Sequence, residues 1–230
     1  MLMDIFSSFD EQGGNLFGFG VFVWVGSLLP VFFFFSSYWW GGGRLFCFLS
    51  SVGEFSSSEV SRSRGGSLGG FCSVLSSLMV VLLCMNLFGL VPYVFSNTSH
   101  LLVTFGFSSV LWLSLLLSGV FFNVGSFLAV FLPVGSPSVL SPFLVVVESV
   151  SLLVRPVTLA VRLAANMGAG HIVLCLLGSY LSCGVFLYSW FSVFFMVLVG
   201  GFYFLFEVGI CLIQSYIFFL LLSLYGDEHC

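Results

Sequence analysis

From Ser141 to Tyr225 the chain offers almost nothing that would stop a helix. Ser141–Pro142 is a good start, with a hydroxyl at the cap and proline in the first turn. No turn signal follows until about Gly178–Gly184, and a second unbroken stretch runs from there to Tyr225, softened only at Gly200–Gly201. At about 1.5 Å rise per residue each stretch is close to 60 Å long as a helix. That is about twice the roughly 30 Å of a bilayer's hydrocarbon core. Either each stretch folds back on itself without a polar turn, or each is one steeply inclined helix. Hydrophobic length alone fixes no tilt angle, but the arithmetic favours an antiparallel, strongly tilted hairpin over residues 142–225.

Stretches of this kind need an apolar solvent, and the composition agrees. Hydrophobic residues make up 60% of the chain and charged ones 6%, against about a quarter charged in a soluble domain. This excludes a soluble enzyme, a secreted disulfide scaffold and a nucleic-acid binder. All five basic residues are Arg (44, 62, 64, 155 and 162), there is no Lys, and Phe and Gly are abundant. This is the signature of a T/G-rich coding strand, commoner in organellar genomes than in nuclear ones. Residues 1–15 hold Asp4, Asp10 and Glu11 with no basic residue, unlike a transit peptide or signal peptide. The seven cysteines show no CxxC spacing and mostly sit in apolar runs, as small hydrophobes do. Neither a metal site nor a cofactor is indicated.

The expected fold is therefore an all-α integral membrane protein with about five crossings. After the acidic segment 1–15, a first transmembrane helix is expected over 16–40. A Gly/Ser-rich polar connector over 41–70, with Arg44, Arg62 and Arg64 against Glu54 and Glu59, has room for an interfacial helix. Two transmembrane helices follow in 71–122, separated by the polar turn Ser96–His100. A second connector, 123–141, is broken by Pro133, Gly135 and Pro137. The hairpin 142–225 and a tail, 226–230, complete the chain. The excess of positive charge on inner loops puts the three-Arg connector and the tail inside and the N-terminus outside.

Ionisable groups within spanning segments cost roughly 2.5–3.5 kcal/mol each on insertion scales and are functional by default. There are five: Glu148, Arg155, Arg162, His171 and Glu207. Glu148, Arg155 and Arg162 recur every seven residues and form one slowly drifting stripe, which Asn166 continues. Thr158, Ala165 and Ala169 surround Arg162, so its face is stripped of bulk and open to close approach by another helix. His171 points to the opposite side. Glu207 and Gln214 share a face at a spacing of seven. Glu148 lies about 10 Å along the axis from Arg155, too far for an easy direct contact. Arg155 precedes Pro156 and reads as a structural ion pair at a helix kink, and Asn86 as hydrogen-bonding glue between helices. If Glu207 faces His171, the permanent cation of Arg162 has no carboxylate in its own chain, and its anion comes from another protein.

The run ESVSLLVRPVTLAVRLAANMGAGHIVLCLLG, residues 148–178, strongly resembles subunit a of F-type ATP synthases, the mitochondrial form in particular. MNLFGLVPYVF (85–95), FLPVGSPSVLSPF (131–143), FEVGICLIQSYIFFLLLSLY (206–225) and the opening DIFSSFD are similar as well, whereas 41–70 shows little match.

This resemblance implies a stator subunit with two aqueous half-channels that load and unload protons on the carboxylates of a rotor ring. Arg162 corresponds to the arginine that faces those carboxylates and prevents a proton short-circuit. His171 and Glu207 match the pair lining the outer half-channel, Glu148 the acidic residue of the inner one, and Asn166 and Gln214 polar residues beside the arginine. The implied partners are the ring of subunit c, other stator subunits and the lipid bilayer, with no nucleic acid. The implied place is the mitochondrial inner membrane, N-terminus in the intermembrane space and C-terminus in the matrix. ATP chemistry would lie on other subunits, since no Walker loop or nucleophile–base pair is present. Two rival classes fare worse. A secondary transporter would show an internal repeat, and a haem-binding subunit would need two facing buried histidines.

Overall fold

The computed structural model describes residues 9, 24–26, 44–67, 69–91, 94–131, 140–187 and 189–227. Six helices account for most of them: α1 (Arg44–Arg62), α2 (Phe71–Gly89), α3 (Leu101–Phe122), α4 (Val124–Val130), α5 (Ser141–Leu187) and α6 (Trp190–Asp227). No strand occurs among the described residues. Most of the expected first crossing, 16–40, lies outside them, as does 132–139 of the second connector.

Four of these helices, α2, α3, α5 and α6, are long and apolar enough to cross a membrane. The distribution of side chains is the reverse of a water-soluble protein's. Phe121, Leu102, Trp190, Phe191 and Phe202 stand largely exposed, while Asn86, Thr104, Ser108, Glu207, Gln214 and Ser215 are buried. Lipid is the only solvent in which this arrangement lowers the free energy. The chain is an all-α integral membrane protein.

Each of the two long apolar stretches is a single helix. α5 spans 47 residues, about 70 Å, and α6 spans 38, about 57 Å. α5 passes through Pro156 without breaking, although a proline removes one backbone donor and crowds the preceding turn. Ser108 of α3 donates its hydroxyl to the Pro156 carbonyl at 3.1 Å, which fastens α3 to α5 at this point. The two long helices run antiparallel: Asn166 meets Gln214, Met167 meets Cys211, and Arg155 lies against Tyr225.

Connector residues 44–62 form a helix in spite of their serine content. Ser50, Ser51, Ser56, Ser57, Ser58 and Ser61 each donate to the carbonyl three residues earlier, so no hydroxyl competes for a non-helical backbone. Ser56 and Val60, one turn apart, are fully buried, while Phe48 and Phe55 face outward. Gly70, at φ 82° and ψ −9°, then supplies the left-handed residue that starts α2. The main core joins Val60 of α1, Leu75, Met79 and Leu82 of α2, Leu159 and Leu163 of α5, and Phe218, Phe219 and Leu222 of α6.

Candidate functional site

The polar groups of α5 and α6 sort into three levels along the hairpin. At the middle level Arg162 is exposed, as are Val157, Thr158, Val161, Ala165 and Ala169 around it. This stripe is one side of a helix whose other side is core: Leu159, Ala160, Leu163, Ala164 and Met167 are buried. Among the described residues neither a hydrogen bond nor an ion pair holds the Arg162 guanidinium. A permanent cation thus stands on a small-residue surface within an apolar helix.

Beside it, Asn166 Nδ2 donates to Gln214 Oε1 at 3.0 Å, tying the two helices together immediately behind the arginine. Gln214 is buried and Asn166 half-buried. The bond is expected to show a coupling of about 0.6 kcal/mol, typical of side-chain pairs between membrane helices. A double-mutant cycle with Asn166→Ala and Gln214→Ala, read by unfolding in mixed micelles, measures it.

At the second level Glu207 of α6 is 2% exposed and lies directly against Gly170 of α5. A Cβ built on Gly170 would fall 2.5 Å from Glu207 Cδ, inside any real contact, so glycine is what admits the carboxyl here. His171 follows Gly170, interacts electrostatically with Glu207, and meets the Phe9 ring edge-on at 6.2 Å. Tyr203 stands one turn before Glu207 on α6. His171 Nε2 and Glu207 Oε2 are buried without a hydrogen-bond partner among the described residues. So are both amide atoms of Asn86, and Asn97 Oδ1, Thr98 Oγ1 and His100 Nε2 at the α2–α3 turn. Asn86 was expected to bond neighbouring helices through its side chain, but among the described residues that amide has no hydrogen-bond partner. Its amide is fully enclosed at the α2–α6 contact, and the polar approach there is the Cys211 thiol to its backbone carbonyl, at 3.9 Å. Buried polar groups are ordinarily satisfied by protein or by ordered water.

At the third level Glu148 and Arg155 do meet. Arg155 Nη2 lies 3.7 Å from Glu148 Oε1, which corrects the expectation that two helical turns hold them apart. The backbone separation was right, but both side chains are long and lean along the helix toward each other, bridging it. Ser151, between them, donates toward Glu148 at 3.4 Å. The other face of the Arg155 guanidinium sits 5.0 Å above the Tyr225 ring.

Sequence reasoning did not single out Gly170, Tyr203 or Tyr225. The spacing of Tyr203 and Glu207 at i, i+4 was an available signal. The pairings of Gly170 and Tyr225 depend on the register of the hairpin and have no signature within one helix.

Residues 19–227 match the ATP synthase A chain family. ATP synthase subunit a of Mytilus edulis is 35% identical, covering 100% of this chain and 99% of its own length. The corresponding protein of Albinaria caerulea is 45% identical over 68% of this chain and 72% of its own. That of Apis mellifera ligustica is 32% identical over 99% and 97%. A match of this extent leaves one conclusion: the chain belongs to the ATP synthase A chain family.

Proposed function

We propose that this proton-translocating membrane subunit of an ATP synthase forms two half-channels that deliver protons to, and collect them from, carboxylates on a rotor ring. The observation that carries the reading is Arg162, a fixed cation on an exposed small-residue face with no partner among the described residues. A rotor carboxylate facing lipid stays neutral, because a bare charge there is expensive. Beside Arg162 the ionised form becomes favourable, so each carboxylate gives up its proton before passing the arginine. Arginine does not deprotonate in proteins, so it blocks proton transfer while it attracts the ring.

His171 and Glu207 line the outer half-channel, and Glu148 serves the inner one. Asn166 and Gln214 hold the hairpin at the level of the arginine. Each proton that crosses releases about 2.3 kcal/mol per 100 mV of membrane potential, which rotation passes to nucleotide sites on other subunits. The chain lies in the mitochondrial inner membrane beside the subunit c ring and the other stator subunits, with the N-terminus in the intermembrane space and the C-terminus in the matrix.

The test is proximity. A photo-reactive benzoylphenylalanine at Val161, next to Arg162, is expected to capture the rotor subunit in the assembled complex. The same group at Leu113, on the exposed side of α3, is expected not to. Capture of stator subunits alone from position 161 would refute the reading.

A further inference from the structure

The end of α6 is seated with little freedom. Gly226 packs on Gly65 and Phe71: a Cβ on Gly226 would lie 2.6 Å from Phe71 Cζ and 3.6 Å from Gly65 Cα. A Cβ on Gly65 would lie 2.9 Å from Phe71 Cε1 and 3.1 Å from the Gly226 carbonyl carbon. Both glycines are buried. Asp227 Oδ1 accepts the Gly65 amide proton at 3.3 Å, so the 3-10 turn Arg64–Ser67 grips the last turn of α6. Nothing larger than glycine fits at either position without displacing an aromatic ring or the facing backbone. The residue immediately before this seat is Tyr225, and its ring carries the Arg155 guanidinium that reaches Glu148. A chain of contacts therefore runs from the connector, through the tail, to the carboxylate.

We propose that Tyr225 is a positioning residue for proton exit: held by the Gly65–Gly226 seat, its ring fixes Arg155 so that the guanidinium stays on Glu148. The inference rests on Glu148 serving the inner half-channel. A flexible arginine would spread its charge over many rotamers, whereas one stacked on a ring is confined to a plane and a direction. Confinement keeps the cation on the carboxylate from which the proton leaves. Among the described residues, α3 carries no ionisable side chain, and α6 contributes Tyr225 and Asp227 at this end.

The experiment measures passive proton flow through the assembled complex, stripped of its catalytic head, in vesicles of controlled inner-side pH. In Tyr225→Leu the inner pH for half-maximal flow is expected to rise by about half a unit. The sign follows because a carboxyl with a less secure cation holds its proton to higher pH. Tyr225→Phe keeps the ring and is expected to keep the wild-type midpoint, while Arg155→Gln is expected to shift it further in the same direction. Should the leucine variant fail to assemble, Tyr225→Met, which better preserves volume, carries the same test. An unshifted midpoint in Tyr225→Leu or Tyr225→Met overturns the proposal, as does an equal shift in Tyr225→Phe. Glu148→Gln separates the two levels of the argument. If it leaves flow and its pH profile unchanged, the assignment of Glu148 fails and this proposal with it. If it flattens the inner pH dependence while Tyr225→Leu shifts nothing, only the positioning role is lost.

Discussion

Proton-coupled ATP synthesis is expected to fall about 100-fold or more when Arg162 is replaced by Ala, while passive proton leak rises. The magnitude follows from the cost of an unsupported charge among membrane helices, roughly 2.5–3.5 kcal/mol, with 1.36 kcal/mol per factor of ten in rate. Arg162 stands on a face made of Thr158, Val161, Ala165 and Ala169, all exposed. No neighbouring side chain on that face can take over its charge. The leak has a separate cause. Once the cation is gone, a protonated carboxylate can pass the position it formerly had to cross ionised, and protons move without obligatory coupling. Arg162→Lys is expected to fall between the two, since an ammonium loses its proton in apolar surroundings where a guanidinium does not. Vesicles energised by a pH jump measure synthesis and leak in one preparation. Coupled synthesis in Arg162→Ala above a tenth of the wild-type rate would sink the assignment.

The second large effect is expected at a residue with no chemistry of its own. In Gly170→Ala the new methyl group would overlap the Glu207 carboxylate. Backbone movement in a packed helix pair is costly, typically 1–3 kcal/mol for inserted methyl groups. The carboxylate is the end of a rotatable side chain, so it yields first and swings away from His171. Assembly is expected to survive while proton flow drops by about tenfold, the equivalent of 1.36 kcal/mol on the limiting step. Glu207→Asp shortens the side chain by one methylene and is expected to restore part of the flow when combined with Gly170→Ala. Loss of the assembled complex in Gly170→Ala, or no gain in the double variant, would contradict this account. Gly178, on the same helix, has open space around its Cβ position, and Gly178→Ala serves as the silent control.

Much of this architecture was legible in the residues, for reasons that are themselves physical. Two stretches lacking turn residues have few options in hydrocarbon, where every backbone donor must be paired within its own helix. The face occupied by Arg162 followed from the 3.6-residue period and the small neighbours alone. What stayed hidden depended on how helices meet. The length arithmetic left open whether each stretch folds back, and Pro156 added to that ambiguity. The structure carries α5 through it as one helix, with Ser108 bonded to the Pro156 carbonyl. Axial distance misjudged Glu148 and Arg155 because it counted rise per residue and not the reach of the side chains. Gly170 against Glu207, and Tyr225 against Arg155, become visible only when the register of two antiparallel helices is known.

That α5 is one uninterrupted rod has a consequence for how such a chain can vary. Glu148, Arg162 and His171 are held on a common ruler, about 21 and 14 Å apart along the axis. Substitution changes what stands at a mark and leaves the marks where they are. Insertion or deletion of one residue between Glu148 and His171 would turn everything beyond it by about 100° and move it by about 1.5 Å. A change before Arg162 would turn the arginine off its exposed face, and one after it would turn the histidine away from Glu207. A loop absorbs a change of length locally, but this helix transmits it to every later position. Within this span the protein can change its letters but not its count.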